Sequence, residues 1–464
     1  MSVGQAGSTP SSGFDTLAGM ATRKISPLVV SLIALLLVLA GVALGWRLVR
    51  GDDSLLRDVS FGEALITPNA DGERDATRIA YSLSRNATVS IFFEGEAGRR
   101  YYFREDEPRG AGDYEVLFSG VVTPYELPGE QVQGEILARL LRDGDYSWTV
   151  SATDENGIVE TASGSITIAE ADTVLPDLRD FTVSPQTFTP NQDGISDRVT
   201  IQFYQTKEAT VRVFVQGADG QEWPISEDER DVPRGEPGRH MYDYEGGVDN
   251  NAIPPPDGTY PVVAIAEDDE GQKIRVQRPL TISYGGVPMA QIFPPPIGDT
   301  LRMSATAVAL CETVTFTVTV ENYGSAPIRT TGPAPGTVYD SDWNYNTVGW
   351  PTESGAWRVG IGYENELTNY PYRWAVGNRE DLEKIDGHLY LMPGERAVVT
   401  GSVRITGPLG VRNPQPMWAG LIHEDVTISQ FNNRVDPHEL RINLPDAAHI
   451  ERCPERAVPE REEE

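Results

Sequence analysis

Two stretches of this sequence each occur twice, in the same order. ITPNADGERDATRIAYSL, residues 66–83, returns as FTPNQDGISDRVTIQFYQ, residues 188–205, displaced by 122 positions. RDGDYSWTVSATDENG, residues 142–157, returns as PDGTYPVVAIAEDDEG, residues 256–271, displaced by 114. A unit of about 110 residues is therefore repeated, and the eight-residue difference between the displacements belongs in the middle of the unit, where loops absorb it.

Each copy alternates apolar and polar residues, as in Val199-Thr200-Ile201-Gln202-Phe203 and Val211-Arg212-Val213-Phe214-Val215. That is the period of a strand with one face buried. Pro-Asn-x-Asp-Gly and Asp-Gly-x-Tyr supply the turns, and 45 glycines with 34 prolines suit short strands joined by such turns. Each copy is expected to form a seven-stranded sandwich. The order Pro-Asn-x-Asp-Gly-x-x-Asp, strand, then Pro-Asp-Gly-x-Tyr with an Asp-x-x-Gly hairpin resembles the immunoglobulin-like domain of the flagellar-hook-capping type and related modules of bacterial secreted and gliding-type surface proteins. The resemblance covers roughly residues 61–285 and implies a structural or binding module without catalytic residues. The first copy departs by carrying Arg142 where the second has Pro256, which predicts a weaker turn there.

After the repeat, Pro294-Pro295-Pro296 marks an extended connector. Beyond it, ETVTFTVTVEN (312–322) and GERAVVTGSVRITG (394–407) are period-2 strands of a third domain. They are similar to adhesion-type and conserved-repeat-type immunoglobulin-like domains over about a third of its length. Its segment 339–377 concentrates Trp343, Trp350, Trp357 and Trp374 with five tyrosines. Two readings follow: a stacking platform for a sugar polymer, whose apolar ring faces pack on flat aromatics, or an inserted hairpin that covers its own core. Cys311 and Cys453 are the only cysteines, so any disulfide is a single staple pinning the C-terminal tail, and a Cys-rich zinc site is excluded.

Between Ile25 and Trp46 no residue is charged, which at ~1.5 Å per residue gives roughly 33 Å of helix, enough for a ~30 Å hydrocarbon core. The expected order is a tail (1–24, shorter if Met20 is the start), a transmembrane helix (25–46) and a linker (47–60). Then come immunoglobulin-like domains at 61–170 and 174–285, a Pro-rich linker (286–298), a third such domain (299–446) and an acidic tail (447–464). A cleaved signal peptide is the rival for 25–46, but the run exceeds a usual ~7 to 15-residue apolar core and lacks a small-x-small cleavage site. Basic residues flank the run on both sides, so charge does not set its orientation. The resemblance to secreted modules puts the C-terminal domains outside the cell membrane.

Residues 1–50 carry Arg23, Lys24, Arg47 and Arg50 against Asp15, a charge of +3, so with a total of −31 the rest of the chain carries −34. Such a surface repels phosphate backbones, so the partner expected outside the cell is a protein or glycan and not nucleic acid. The five histidines form no His-Glu-x-x-His or Cys/His cluster, and no Gly-x-Ser-x-Gly, P-loop or dinucleotide fingerprint occurs. An enzyme is not expected. In His423-Glu424-Asp425, neighbouring side chains on a strand point to opposite faces and cannot converge on one ion.

The paired turns offer hard oxygens for Ca2+: Asn69, Asp71 and Asp75 in the first copy, Asn191, Asp193 and Asp197 in the second, with Asp143 or Asp257 brought near from the other end of the unit. Calcium needs ~6 to 8 oxygens, so three residues are not enough alone. The competing reading is a turn in which Asn and Asp cap their own backbone. The chain is thus read as a membrane-anchored surface or envelope protein built of tandem β-sandwiches, an adhesion or spacer module, with carbohydrate binding by the third domain as the alternative.

Overall fold

The computed structural model describes residues 27–49, 54–96, 98–227, 232–444 and 453–459. The tail 1–24, the alternative start at Met20 and the final acidic residues 460–464 lie outside the described residues. Pro27–Val49 is a helix of 23 residues, and its described side chains, 31–42, are uncharged and exposed. Among the described residues no helix is long and apolar enough to cross a membrane. Apart from this helix and three short turns of 3-10 helix, regular structure among the described residues is all strand.

The first copy comprises β1 (Leu56–Phe61), β2 (Leu65–Ile66), β3 (Thr77–Leu83), β4 (Ala87–Glu94), β5 (Arg100–Arg109), β6 (Gly112–Phe118), β7 (Val121–Val122), β8 (Glu135–Leu140), β9 (Gly144–Asp154) and β10 (Val159–Ile168). The sheet β1-β3-β6 faces the sheet β2-β10-β9-β4-β5, and Leu55, Ile79, Phe93, Phe118 and Val150 fill the space between. The second copy repeats the plan with β11 (Leu178–Ser184), β12 (Thr187–Phe188), β13 (Val199–Gln205), β14 (Thr210–Gln216), β15 (Glu222–Ile225), β16 (Gly238–Tyr244), β17 (Gly258–Glu267) and β18 (Lys273–Ile282). Here β11-β13-β16 faces β15-β14-β17-β18. The correspondence extends to detail. Asp58 (φ 50°) and Asp180 (φ 54°) each form a bulge that shifts the register of the first strand. Tyr146 donates to the Arg142 carbonyl at 2.9 Å and Tyr260 to the Pro256 carbonyl at 2.8 Å. Arg142 therefore keeps the turn's tyrosine bond, because that bond uses a backbone oxygen that any residue supplies.

Two expected linkers prove to be partly strand. In 47–60, β1 already pairs with β3 and Leu55 is fully buried. In 286–298, Ala290–Ile292 pairs with Thr313–Asn322 of the third domain. The bulge and the short length of these strands mask their alternation in sequence.

The extra residues of the first copy form more than a loop. β7 and β8 pair with each other, and β8 runs antiparallel to β18, so the first domain adds strands to a sheet of the second. Gly134 permits this approach: at φ +110° it has no Cβ, which would lie 2.4 Å from the Arg275 carbonyl oxygen. Gln272, fully buried, ties the junction by accepting from the Leu140 amide and donating to the Asp172 and Val174 carbonyls. Lys207 contacts Asp172, Asp268 and Glu270 at 2.8–3.0 Å; burial opposes its charge, but these carboxylates hold it above the ordinary lysine range.

The third domain packs the sheet Ala290–Ile292, Thr313–Asn322, Arg396–Arg404, Val338–Asp340 against a larger one. The larger runs Ala307–Ala309, Val435–Asn443, Gln415–His423, Trp357–Tyr363, Ile328–Thr330, His388–Leu391, Glu383–Ile385, with Tyr372–Ala375 beside Trp357–Tyr363. Within its core Arg373 grips Glu424 through both carboxylate oxygens at 2.8 and 2.9 Å, and Arg358 lies 3.4 Å from the same carboxylate. Burial pushes the Arg358 guanidinium below its ordinary value.

Candidate functional site

In both copies the Pro-Asn-x-Asp-Gly turn satisfies its own backbone. In the first, Asp75 accepts from the Asn69, Ala70 and Gly72 amides, Asn69 Oδ1 accepts from Asp71, and Asp71 Oδ1 accepts from Glu73. In the second, Asp197 accepts from Asn191, Asp193 and Gly194, Asn191 Oδ1 from Asp193, and Asp193 Oδ1 from Ile195, at 2.6–3.3 Å. At least one oxygen of each side chain expected to face a calcium ion thus accepts from an N–H of its own loop. Asp143 and Asp257 do come to the same end of each domain, where Asp143 accepts from the Ala171 amide and Asp257 from those of Tyr284 and Gly285. Among the described residues one trio could hold a metal, Asp299, Asp436 and His438, and Asp436 there accepts from the Leu301 amide.

The second turn is also the plug of a joint. Asp193 Oδ2 accepts from the Tyr390 hydroxyl at 2.7 Å, and the Asp193 carbonyl from Arg329 Nε at 2.7 Å. Arg329 donates further to Glu353 and the Ser354 carbonyl, both at 2.6 Å. His423 Nε2 meets the Gln192 carbonyl at 2.8 Å, its ring stacked on Trp357. Backbones touch at Gly194 and Gly355: a Cβ on Gly194 would stand 2.2 Å from the Ser354 oxygen, one on Gly355 2.1 Å from the Asp193 carbonyl carbon. Burial, helped by Asp193, pushes the Asp197 carboxyl up to about 6, and burial pushes His423 down to about 4. His423 and Glu424 do point opposite ways, one to the joint and the other to the core ion pairs. Sequence reasoning missed Arg329, Tyr390 and Gly355, which lie 136 to 197 positions from Asp193 in the chain. Arg329 and Tyr390 belong to no motif, and the Ser354-Gly355 pair carries only a turn signal common to many loops.

The aromatic segment is mostly core. Trp374, Trp357 and Trp350 are 0%, 5% and 8% exposed, and Trp374 lies against Gly401, where a Cβ would come within 2.6 Å of the indole. These three cannot form the surface platform expected of them, because stacking needs an open ring face. Trp343 differs: it is half-buried, one side packed on the core and the other lining a cleft. Cys311 and Cys453 are joined, with Cα atoms 5.4 Å apart. The bond holds the tail 453–459 to the third domain, where Arg404 donates to the Pro454 carbonyl at 3.0 Å.

No protein-family model matches the chain, and no curated protein does. Among solved structures, a Ca2+-stabilized adhesin that helps an Antarctic bacterium bind ice is 12% identical, with a TM-score of 0.21, over 76% of this chain and 74% of that one. The SGBP-B protein of a Bacteroides ovatus mixed-linkage glucan utilization locus, in complex with a heptasaccharide, is 11% identical at TM-score 0.15, over 85% and 70%. Dimeric latent PorU from Porphyromonas gingivalis is 9% identical at TM-score 0.18, over 84% and 34%. Likenesses this low carry no functional inference.

Proposed function

We propose that this chain is a membrane-anchored spacer of the bacterial envelope, whose first two domains hold the third away from the bilayer outside the cell. The observation that carries this reading is the pair of interlocked joints. A strand of the first domain completes a sheet of the second, and a turn of the second is seated in the third. Flexible tethers would suffice if the domains acted independently; shared strands and backbone-to-backbone contact instead transmit position along the chain. The anchor is the apolar run 25–46, continuous with the helix Pro27–Val49. The hook-capping-type resemblance of the repeat fits such a module and brings no flagellar role with it. The acidic surface suits a protein or glycan partner better than nucleic acid.

Small-angle scattering on the intact chain in detergent, with the micelle contrast-matched, tests the reading. An elongated particle whose length does not change with salt is expected. A protein radius of gyration near ~23 Å, the value for one globule of this size, would overturn it. A second reading, carbohydrate binding by the third domain, is favoured by Trp343, which keeps an accessible face.

A further inference from the structure

The cleft at Trp343 is built from four pieces of the third domain. They are the turn after Val338–Asp340, the loop after Trp357–Tyr363, the loop at 406–410, and the tail residues 453–456; together they enclose about 640 Å³. That size lies within the ~300 to 1,000 Å³ of small-molecule sites. Trp343 and Tyr363 both pack one side on the core and line the cleft with the rest. A ring meant only to fill the core is enclosed as Trp374 is; these two are not.

The polar lining is unevenly committed. Asp340 is neutralised by Arg404, whose Nε donates at 2.8 Å, and by Arg456 at 3.5 Å. Among the described residues Asp342 accepts one bond, from the Thr406 hydroxyl at 3.2 Å, and a carboxylate has about four acceptor positions. Glu366 accepts from the Tyr363 hydroxyl and the Thr368 amide, and Asn365, Ser341 and Thr406 add neutral polar groups to the wall. Counting Asp340, Asp342, Glu366 and Glu455 against Arg404 and Arg456, the lining carries two net negative charges, which disfavours an anionic ligand. Two half-buried aromatic rings beside unfilled carboxylate acceptors suit a molecule with an apolar ring face and hydroxyl donors at its rim.

We propose that this cleft binds a neutral saccharide unit, stacked on Trp343 and Tyr363, with its hydroxyls donating to Asp342 and Glu366. The proposal deepens the second reading above and rests on the third domain being presented outward. The tail forms one wall, so the Cys311–Cys453 bond, the Arg404 bond to Pro454 and the Arg456 contact with Asp340 hold the site closed on that side.

The test titrates the intact chain in detergent with an array of neutral oligosaccharides and, in parallel, a polyuronate. Saturable binding to a neutral glycan is expected, with the polyuronate weaker. Trp343→Ala and Tyr363→Ala should each lower affinity about tenfold or more, Asp342→Asn several-fold, and Cys453→Ser with Cys311→Ser by a similar several-fold factor. Phe431→Ala, 89% exposed and outside the cleft lining, should bind as wild type. If Trp343→Ala does not fold, judged by its melting curve, Trp343→Phe keeps an aromatic face and should retain intermediate affinity. Absence of any neutral glycan binding, or wild-type binding by Trp343→Ala or by Trp343→Phe and Tyr363→Ala together, overturns the proposal. Scattering on the same preparation separates the two readings: an elongated particle that binds no glycan sinks the cleft and leaves the spacer, and a compact one that binds does the reverse.

Discussion

In the first copy of the repeat, Gly72 has nothing within 4 Å of where a Cβ would stand, whereas in the second the corresponding Gly194 would drive one into the Ser354 carbonyl at 2.2 Å. The two turns share the same internal bonds, from amides to the first and last acids of the motif. One lies open to solvent and the other is enclosed by Arg329, Tyr390 and His423. A turn that satisfies its own backbone is already rigid, so burying it costs little ordering entropy. The difference between the copies therefore lies in what meets the turn and not in the turn itself.

The comparison breaks most visibly at the glycines. Gly72→Ala forces a Cβ into the left-handed region and should cost ~1 to 2 kcal/mol. Gly194→Ala carries the same strain and in addition ~1 to 3 kcal/mol of overpacking at the joint. Calorimetry should show the transition of the second and third domains falling well below wild type for Gly194→Ala, with the first domain's transition unmoved. Equal losses for the two substitutions would mean that the socket yields and the joint is loose.

Acid sharpens the same contrast. The folded Asp197 carboxyl, near 6 against 3.8 unfolded, holds a proton that the unfolded chain releases, so its contribution to stability falls as pH rises from about 4 to 6. His423, near 4 against 6.5 unfolded, is the reverse: the unfolded chain takes the proton first, so stability rises over about pH 4 to 6.5. Each term is worth up to ~3 kcal/mol at one end of its window. They oppose one another, and wild type should be nearly flat there. Asp197→Asn should unmask a rise with pH and His423→Gln a fall, read from urea midpoints; parallel curves for all three proteins would count against both buried groups.

A smaller effect belongs to the donor at the bottom of the socket. Tyr390→Phe removes the hydroxyl bonded to Asp193 Oδ2 and leaves a buried carboxylate oxygen short of a partner, which costs ~1 to 3 kcal/mol. The loss should shrink when measured in Asp193→Asn, and a double-mutant cycle with no coupling would remove this bond from the joint.

What sequence displays is local. The alternation of β13, the strand β14, the turn at Asn191 to Asp197 and the Asp-Gly-x-Tyr corner are encoded by neighbours and are found where the pattern puts them, except that Phe214 of β14, expected to face outward, is buried beside Val213 and Val215. The bulged strands at Asp58 and Asp180 break their own alternation, and the start of the first of them reads as linker. The pairing of β8 with β18 joins residues about 135 positions apart, and its sequence, EILARL, carries a strand signal but no address. The tryptophans mislead for a related reason. Clustering in sequence says that large rings are needed, and burial by Arg396–Arg404 and Gln415–His423, tens of residues away, decides which face is left. The cleft at Trp343 depends likewise on Cys453, 110 positions on.

The smallest expected effect concerns calcium. A bound Ca2+ requires ~6 to 8 oxygens converging at ~2.3–2.6 Å, while the turn oxygens of Asn69, Asp71 and Asp75, and of Asn191, Asp193 and Asp197, point at amides of their own loops. The amides take only some of the carboxylate lone pairs, but the three side chains of each turn offer an ion fewer ligands than it needs. If it nevertheless bound only the folded chain, saturation at ~100 times its dissociation constant would add ~2.7 kcal/mol per site. Melting curves of the intact chain with calcium and with chelator should therefore coincide. Asp71→Ala should lower the first domain's midpoint by the same amount in both buffers, through loss of its bond from the Glu73 amide, worth ~1 kcal/mol. The exposed turn is the one to watch, because no neighbouring domain blocks it: a calcium-dependent rise that vanishes in Asp71→Ala and persists in Asp193→Ala would show that the open copy is an ion site, and that the buried copy gave up that role on entering the joint.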